Sequence, residues 1–171
     1  QGRTAPEVRP DHPRAAPAAT TPAAAASGPR AARPTVLRGR AWLVDVDHVD
    51  TDMIFHNRHL AITDPAEMGA HAFGNLPGWE DFPGRVRPGD IVITGENFGC
   101  GSSRQQAVDC FKALGVSALI ARSYGAIYER NAINAGLPVL VADLRDRGLE
   151  NGQEVTVDLE TGTIAWDGGE V

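Results

Sequence analysis

From Gly39 onward the apolar positions fall in short runs separated by turn residues. Ala41 to Val46 and Ile91 to Thr94 read as buried or half-buried strands. Between them, Asp64-Pro65 predicts the start of a helix over 66–73, and the Gly- and Pro-rich stretch 74–90 reads as loop and turns. Beyond the second strand, Ala107, Cys110, Phe111 and Leu114 recur at i, i+3, i+4 and i+7, which is one buried face of a helix over 102–114. Gly115 ends it, residues 117–121 form a short apolar strand, residues 124–134 a second helix stopped by Gly136, and residues 138–142 another strand. Strand, helix, strand, helix, strand requires right-handed crossovers, so 91–142 is expected to be a largely parallel layer of an α/β domain. A ribbon over 155–166, turning at Glu160-Thr161-Gly162, closes it.

Residues 1–35 follow a different rule. Ala, Pro, Arg and Thr dominate, Val8 and Val36 are the first large aliphatics at either end, and frequent Pro interrupts any helix that Ala would favour. This segment is expected to be a disordered leader ahead of one domain spanning 36–171. Five Arg against Glu7 and Asp11 make the leader +3, so the remainder carries −9 of the net −6. An acidic body without a basic stripe excludes a nucleic-acid surface, where phosphate neutralisation supplies most of the affinity. No apolar run reaches the 18 residues a membrane helix needs, and no secretory signal opens the chain, so the cytoplasm is the expected compartment. Cys100 and Cys110 lie in no metal-binding spacing and could not alone support a disulfide framework.

Chemistry concentrates in GENFGCGSSRQQA, residues 95–107, where a strand runs through a Gly-rich turn into the predicted helix. With Ser102, Ser103 and Arg104 in its first turn, unpaired N–H groups, the helix dipole and a guanidinium fork would attract a carboxylate. A serine hydroxyl there could act as a base if backbone N–H groups and Arg104 hold its oxyanion; alternatively, Ser102 could merely cap the helix. The glycine spacing fits neither a P-loop nor GxGxxG, and GxSxG is missing. A thiol at a helix N-terminus, as Cys100 would be, has a lowered pKa. Cys110 falls on the buried face.

The string NFGCGSSR, together with VDTDMI at 49–54 and RNAINAGLPVL at 130–140, resembles the small subunits of 3-isopropylmalate dehydratase and homoaconitase, related to the mobile last domain of aconitase. The resemblance implies a swivelling β/β/α domain that docks on a large subunit carrying a [4Fe-4S] cluster, since two cysteines cannot hold one. It implies a small hydroxy dicarboxylate as substrate, dehydrated and rehydrated with the hydroxyl moved one carbon along. By the same resemblance Ser102 is the catalytic base, Asp52 belongs to the catalytic Thr-Asp motif, and Gly101, Cys100, Ser103 and Arg104 surround the substrate carboxylates. Arg58 matches an arginine of the next segment. Spacing alone leaves open that Asp50 and Asp52 only shape a turn.

Two departures from the family pattern bear on substrate. Gln105-Gln106 stands where Glu-His is usual, and Phe55-His56-Asn57 where Ile-Pro-Ala is usual. In the family, substrate choice is linked to the segment after Arg58, here His59-Leu60-Ala61-Ile62, with His59 replacing a tyrosine. Ala61 and Ile62 are apolar, and a buried site lacking a cation would leave a third carboxylate unpaired. An aliphatic 2-substituted malate is therefore expected, with homoaconitate or another substituted malate as the alternative and a non-catalytic carboxylate-binding protein as the reading of another class.

Overall fold

The computed structural model describes residues 34–171, so all but the last two residues of the leader expected over 1–35 lie outside the described residues. In chain order the elements are β1 (Val36–Val44), α1 (Thr51–Ile54), α2 (Pro65–Met68), α3 (Phe82–Arg85), β2 (Ile91–Thr94), α4 (Gln106–Ala113), β3 (Ala118–Ala121), α5 (Ala126–Ala135), β4 (Val139–Val141), β5 (Glu154–Asp158), β6 (Thr163–Trp166) and β7 (Gly169–Glu170). Single 3-10 turns occupy Asn57–His59 and Gly69–His71.

The seven strands lie in the order β4-β3-β2-β1-β5-β6-β7. β1 through β4 are parallel, with Ala41 opposite Ile91 and Ile91 opposite Ala118. The N-terminal half of β1 pairs antiparallel with β5, and β5, β6 and β7 continue as a meander. The parallel layer therefore extends beyond the expected 91–142 to include β1. Its first strand also starts at Val36 rather than Ala41, because residues 36–40 gain a partner in β5 even though they are not an apolar run.

β2 and β3 are buried at every position because both faces are covered. Val92, Leu119 and Ala121 face an aromatic core with Trp42, Phe73, Phe82, Phe98 and Phe111. Phe73 sits at the centre, with edge-on ring contacts to Phe82 and Phe111 at 5.1 Å each. Ile91, Ile93, Ala118 and Ile120 face the second core, closed by Leu144, Leu149 and the inward residues of β5 and β6. These are the helix, parallel-sheet and antiparallel layers of the expected β/β/α arrangement.

Register is fixed at the start of β2 by Asp90, which is buried. Its carboxylate accepts from Arg40 Nη2 at 2.6 Å, Trp42 Nε1 at 2.8 Å and the Arg87 N–H at 2.8 Å. Burial pushes this carboxyl up, but these donors, with Arg40 Nε on the other oxygen, outweigh it and hold the group ionised below its ordinary range.

Local signals acted as expected at several boundaries. Asp64 caps α2 through the Ala66 N–H, with Pro65 at its first position. Gly115 and Gly136 take φ of 74° and 73° and end α4 and α5. The predicted helix over 66–73 is instead the single turn α2 followed by a 3-10 turn, and α3 interrupts the stretch read as loop.

Candidate active site

The site lies where the chain leaves the C-terminal ends of β1 and β2. The two departing loops run side by side and are bonded along their length. His48 N–H donates to Glu96 O at 2.7 Å, Gly99 N–H to Val49 O at 2.7 Å, and Thr51 N–H to Cys100 O at 2.9 Å. Thr51, nearly fully buried, sends its hydroxyl to Ser102 O at 2.9 Å. Gly99 is required here: its φ is +73°, and a Cβ would lie against the Tyr128 ring. Gly99→Ala should therefore cost at least about 2 kcal/mol, from the left-handed conformation and overpacking together. The check is a lowered urea midpoint in equilibrium unfolding.

This pairing corrects the expected helix start. α4 begins at Gln106, its capping position is Gln105, and no side chain caps it. Ser102, Ser103 and Arg104 lie in the preceding loop, so Ser102 is not a helix cap, and the anion site drawn from a helix N-terminus does not exist in that form. The loop keeps its donors by another route. Gly101, at φ +100°, turns the chain away, and among the described residues no protein acceptor takes the N–H groups of Gly101 through Arg104. Gly101, Ser102 and Ser103 are exposed.

Asp50 and Asp52 divide the two roles that spacing could not separate. Asp50 shapes the turn: its Oδ1 accepts from the Asp52 N–H at 2.7 Å and the Met53 N–H at 2.8 Å, capping α1. Asp52 instead reaches across to the other loop. Its Oδ1 accepts from Arg104 Nη1 at 2.5 Å and from the Asn57 N–H at 3.0 Å, while Oδ2 accepts from Asn75 Nδ2 at 3.1 Å. Arg104 Nη1 also donates to Phe55 O at 3.0 Å. The Arg104 side chain is 15% exposed and that of Asp52 32%. One end of the guanidinium is thus fixed, and its Nε/Nη2 edge has no protein partner among the described residues, which leaves a planar fork for a carboxylate.

The Arg104 hydrogen bond holds the Asp52 carboxyl below the ordinary carboxylate range, against burial acting upward. A group depressed by folding contributes stability above its unfolded pKa and loses it as pH falls through the folded value. Asp52→Asn should remove that contribution. The acid-side loss of stability followed by thermal melting should be shallower in the variant than in the wild type.

Cys100 does not have the lowered pKa expected of a thiol at a helix N-terminus. It is half-buried and not at a helix terminus; it donates to His48 O at 3.4 Å, and burial with nearby Asp50 pushes its pKa up. Cys110 is fully buried, as expected. Ala61 is exposed, and Ile62 is half-buried and packs against the aromatic core. Arg58 is exposed, with its Nε on His59. Asn131 of α5 donates to Ser103 Oγ at 3.4 Å. Sequence reasoning assigned no role to Thr51, Asn75 or Asn131, although Thr51 and Asn131 lie inside motifs that carried the resemblance. A separate groove lined by Leu43, Ile93, Thr94, Leu144, Arg145 and Leu149 opens on the second core, away from these loops.

Among the described residues no three His, Cys, Asp or Glu side chains converge as a metal site. The two thiols, one of them fully buried, do not fit as holders of an iron–sulphur cluster. No helix of the described residues is long and apolar enough to cross a membrane.

Residues 80–143, which include the second of the two loops, match the aconitase C-terminal domain family. A 3-isopropylmalate dehydratase small subunit from Methanopyrus kandleri is 43% identical over 129 residues, covering 75% of this chain and 74% of that one. One from Archaeoglobus fulgidus is 48% identical over 126 residues, covering 74% and 76%. The crystal structure of 3-isopropylmalate dehydratase from Methanocaldococcus jannaschii superposes with a TM-score of 0.73 at 39% identity, covering 79% of each chain. The chain belongs to the family of 3-isopropylmalate dehydratase small subunits, within the aconitase-type hydro-lyases.

Proposed function

We propose that this chain is the cytoplasmic small subunit of a hydro-lyase that isomerises a 2-substituted malate, with 2-isopropylmalate, converted to its 3-isomer in leucine biosynthesis, as the favoured acid. The observation that carries this is the Asp52–Arg104 pair, which anchors a guanidinium by one nitrogen and leaves a carboxylate-binding edge in the loop of Ser102. Arg104 holds a substrate carboxylate. Ser102 takes the proton from the carbon next to it as the hydroxyl on the neighbouring carbon departs, and returns a proton when water adds back in the other orientation. Unpaired N–H groups of the same loop favour the ionised serine oxygen. The Lewis-acid chemistry that draws off the hydroxyl belongs to an iron–sulphur large subunit, and the residues here serve proton transfer and carboxylate binding.

A second reading keeps the chemistry and changes the acid. A methanogen homoaconitase small subunit from Methanothermobacter thermautotrophicus is 45% identical over 130 residues, and the strap after Asp52 carries Arg58 and His59 where a further carboxylate could sit. A non-catalytic carboxylate-binding role would use Arg104 but would not need Ser102 as a base, so turnover separates it from the enzyme. The test is reconstitution with an iron–sulphur large subunit, followed by rates on 2-isopropylmalate, homoaconitate and dimethylmalate. The highest kcat/KM is expected on 2-isopropylmalate; a preference for homoaconitate would select the second reading, and no turnover on any would overturn both.

A further inference from the structure

We propose that His59 and His71 form a proton-sensitive clasp that fixes Arg58 on the substrate strap, with His71 acting as a positioning residue from a separate element. The clasp itself stands on geometry; its effect on substrate binding rests on the function proposed above.

His59 ends the 3-10 turn of the strap, and His71 ends the turn that follows α2. Their rings stack at 3.8 Å with 17° between planes, and Phe55 meets each edge-on at 6.1 Å. Arg58 Nε donates to His59 Nε2 at 2.9 Å. A ring nitrogen that accepts from a guanidinium carries no proton, so His59 is neutral here, with its proton on Nδ1. Charging the ring would protonate Nε2, turn the acceptor into a donor facing Arg58, and place a cation against a second ionisable imidazole.

The groups bearing on His59 are His71 across the stack and Arg58 and His56 along the strap, each positive when charged. Burial and then these neighbours lower the pKa of His59 below its ordinary value of 6.5. Above that pKa the acceptor is available and Arg58 is held; below it the contact is lost. The strap is tied to the active site at its other end, through the Asn57 N–H on Asp52 and Phe55 O on Arg104. Holding Arg58 removes conformational freedom from the strap next to the carboxylate-binding edge. Two phenyl rings would pack equally well, but only imidazoles make the arrangement titratable.

The test has two arms. In the full chain, the imidazole proton signal that disappears in His59→Gln should titrate below 6.5. His71→Phe keeps a stacked ring and removes the ionisable imidazole, and should raise that pKa; Arg58→Gln should raise it too. In the reconstituted enzyme, KM for the accepted acid should rise several-fold as pH falls through the His59 pKa while kcat changes little. That KM step should move upward in His71→Phe and vanish in His59→Gln. An ordinary titration of His59, or one indifferent to His71→Phe, overturns the clasp; a shifted titration without a KM step overturns its role in binding. If no tested acid is turned over, the functional reading fails while the titration still decides the clasp.

Discussion

Ser102→Ala in the reconstituted enzyme should lower turnover by roughly 100- to 10,000-fold, the range lost when a positioned base is removed. Its Michaelis constant should change little, because the hydroxyl is assigned to proton transfer and the carboxylate to Arg104. The site geometry makes this variant unusually clean. Ser102 is exposed, its carbonyl rather than its hydroxyl is held by Thr51, and the hydroxyl bonds to no other described residue. Stability should therefore stay within about 0.5 kcal/mol of the wild type, which a thermal melt will establish before any rate is interpreted. A helix-cap role would predict the opposite pattern, a loss of stability with turnover preserved, and α4 starting beyond Arg104 leaves that role without a helix to cap. Near wild-type turnover in a correctly assembled pair would remove Ser102 from the mechanism.

What the chain discloses locally and what it does not separate along one line. The buried face of α4, the two glycine stops and the doubly buried strands β2 and β3 depend on residues within a few positions of one another, so periodicity reveals them. The start of α4 does not. Its first expected turn is drawn off into a loop by bonds to Val49, Thr51 and Asp52, about fifty residues away, and nothing in 95–107 encodes that competition. The same distance hides the difference between Asp50, which caps its own helix, and Asp52, which crosses to Arg104. Cys100 looked activated only because a helix terminus was expected beneath it; once that terminus moves, burial and Asp50 set its pKa in the other direction. The resemblance identified the residues that meet, and the structure supplies the reason they meet: β1 and β2 are parallel neighbours, so both loops leave the same edge of the sheet.

Arg104→Lys should raise the Michaelis constant and lower turnover together, and so fail differently from Ser102→Ala. The positive charge remains, but one ammonium cannot reproduce a planar group that binds Asp52 and Phe55 O through Nη1 while offering Nε and Nη2 to a ligand. If the ammonium stays on Asp52, the substrate carboxylate loses its two-point contact; if it swings to the substrate, Asp52 keeps only Asn57 and Asn75 as partners. Losing one charge-assisted hydrogen bond costs about 1.5–3 kcal/mol, so kcat/KM should fall at least about tenfold. The carboxylate so misplaced also sets the position of the carbon that Ser102 deprotonates, which is why turnover falls as well. Asp52→Asn distinguishes anchoring from charge. Asparagine can still accept from Nη1, so binding should weaken less than in Arg104→Lys, and initial-rate kinetics on the two variants should rank them in that order. An Arg104→Lys enzyme with an unchanged Michaelis constant would show that the free edge of the guanidinium is not the carboxylate site.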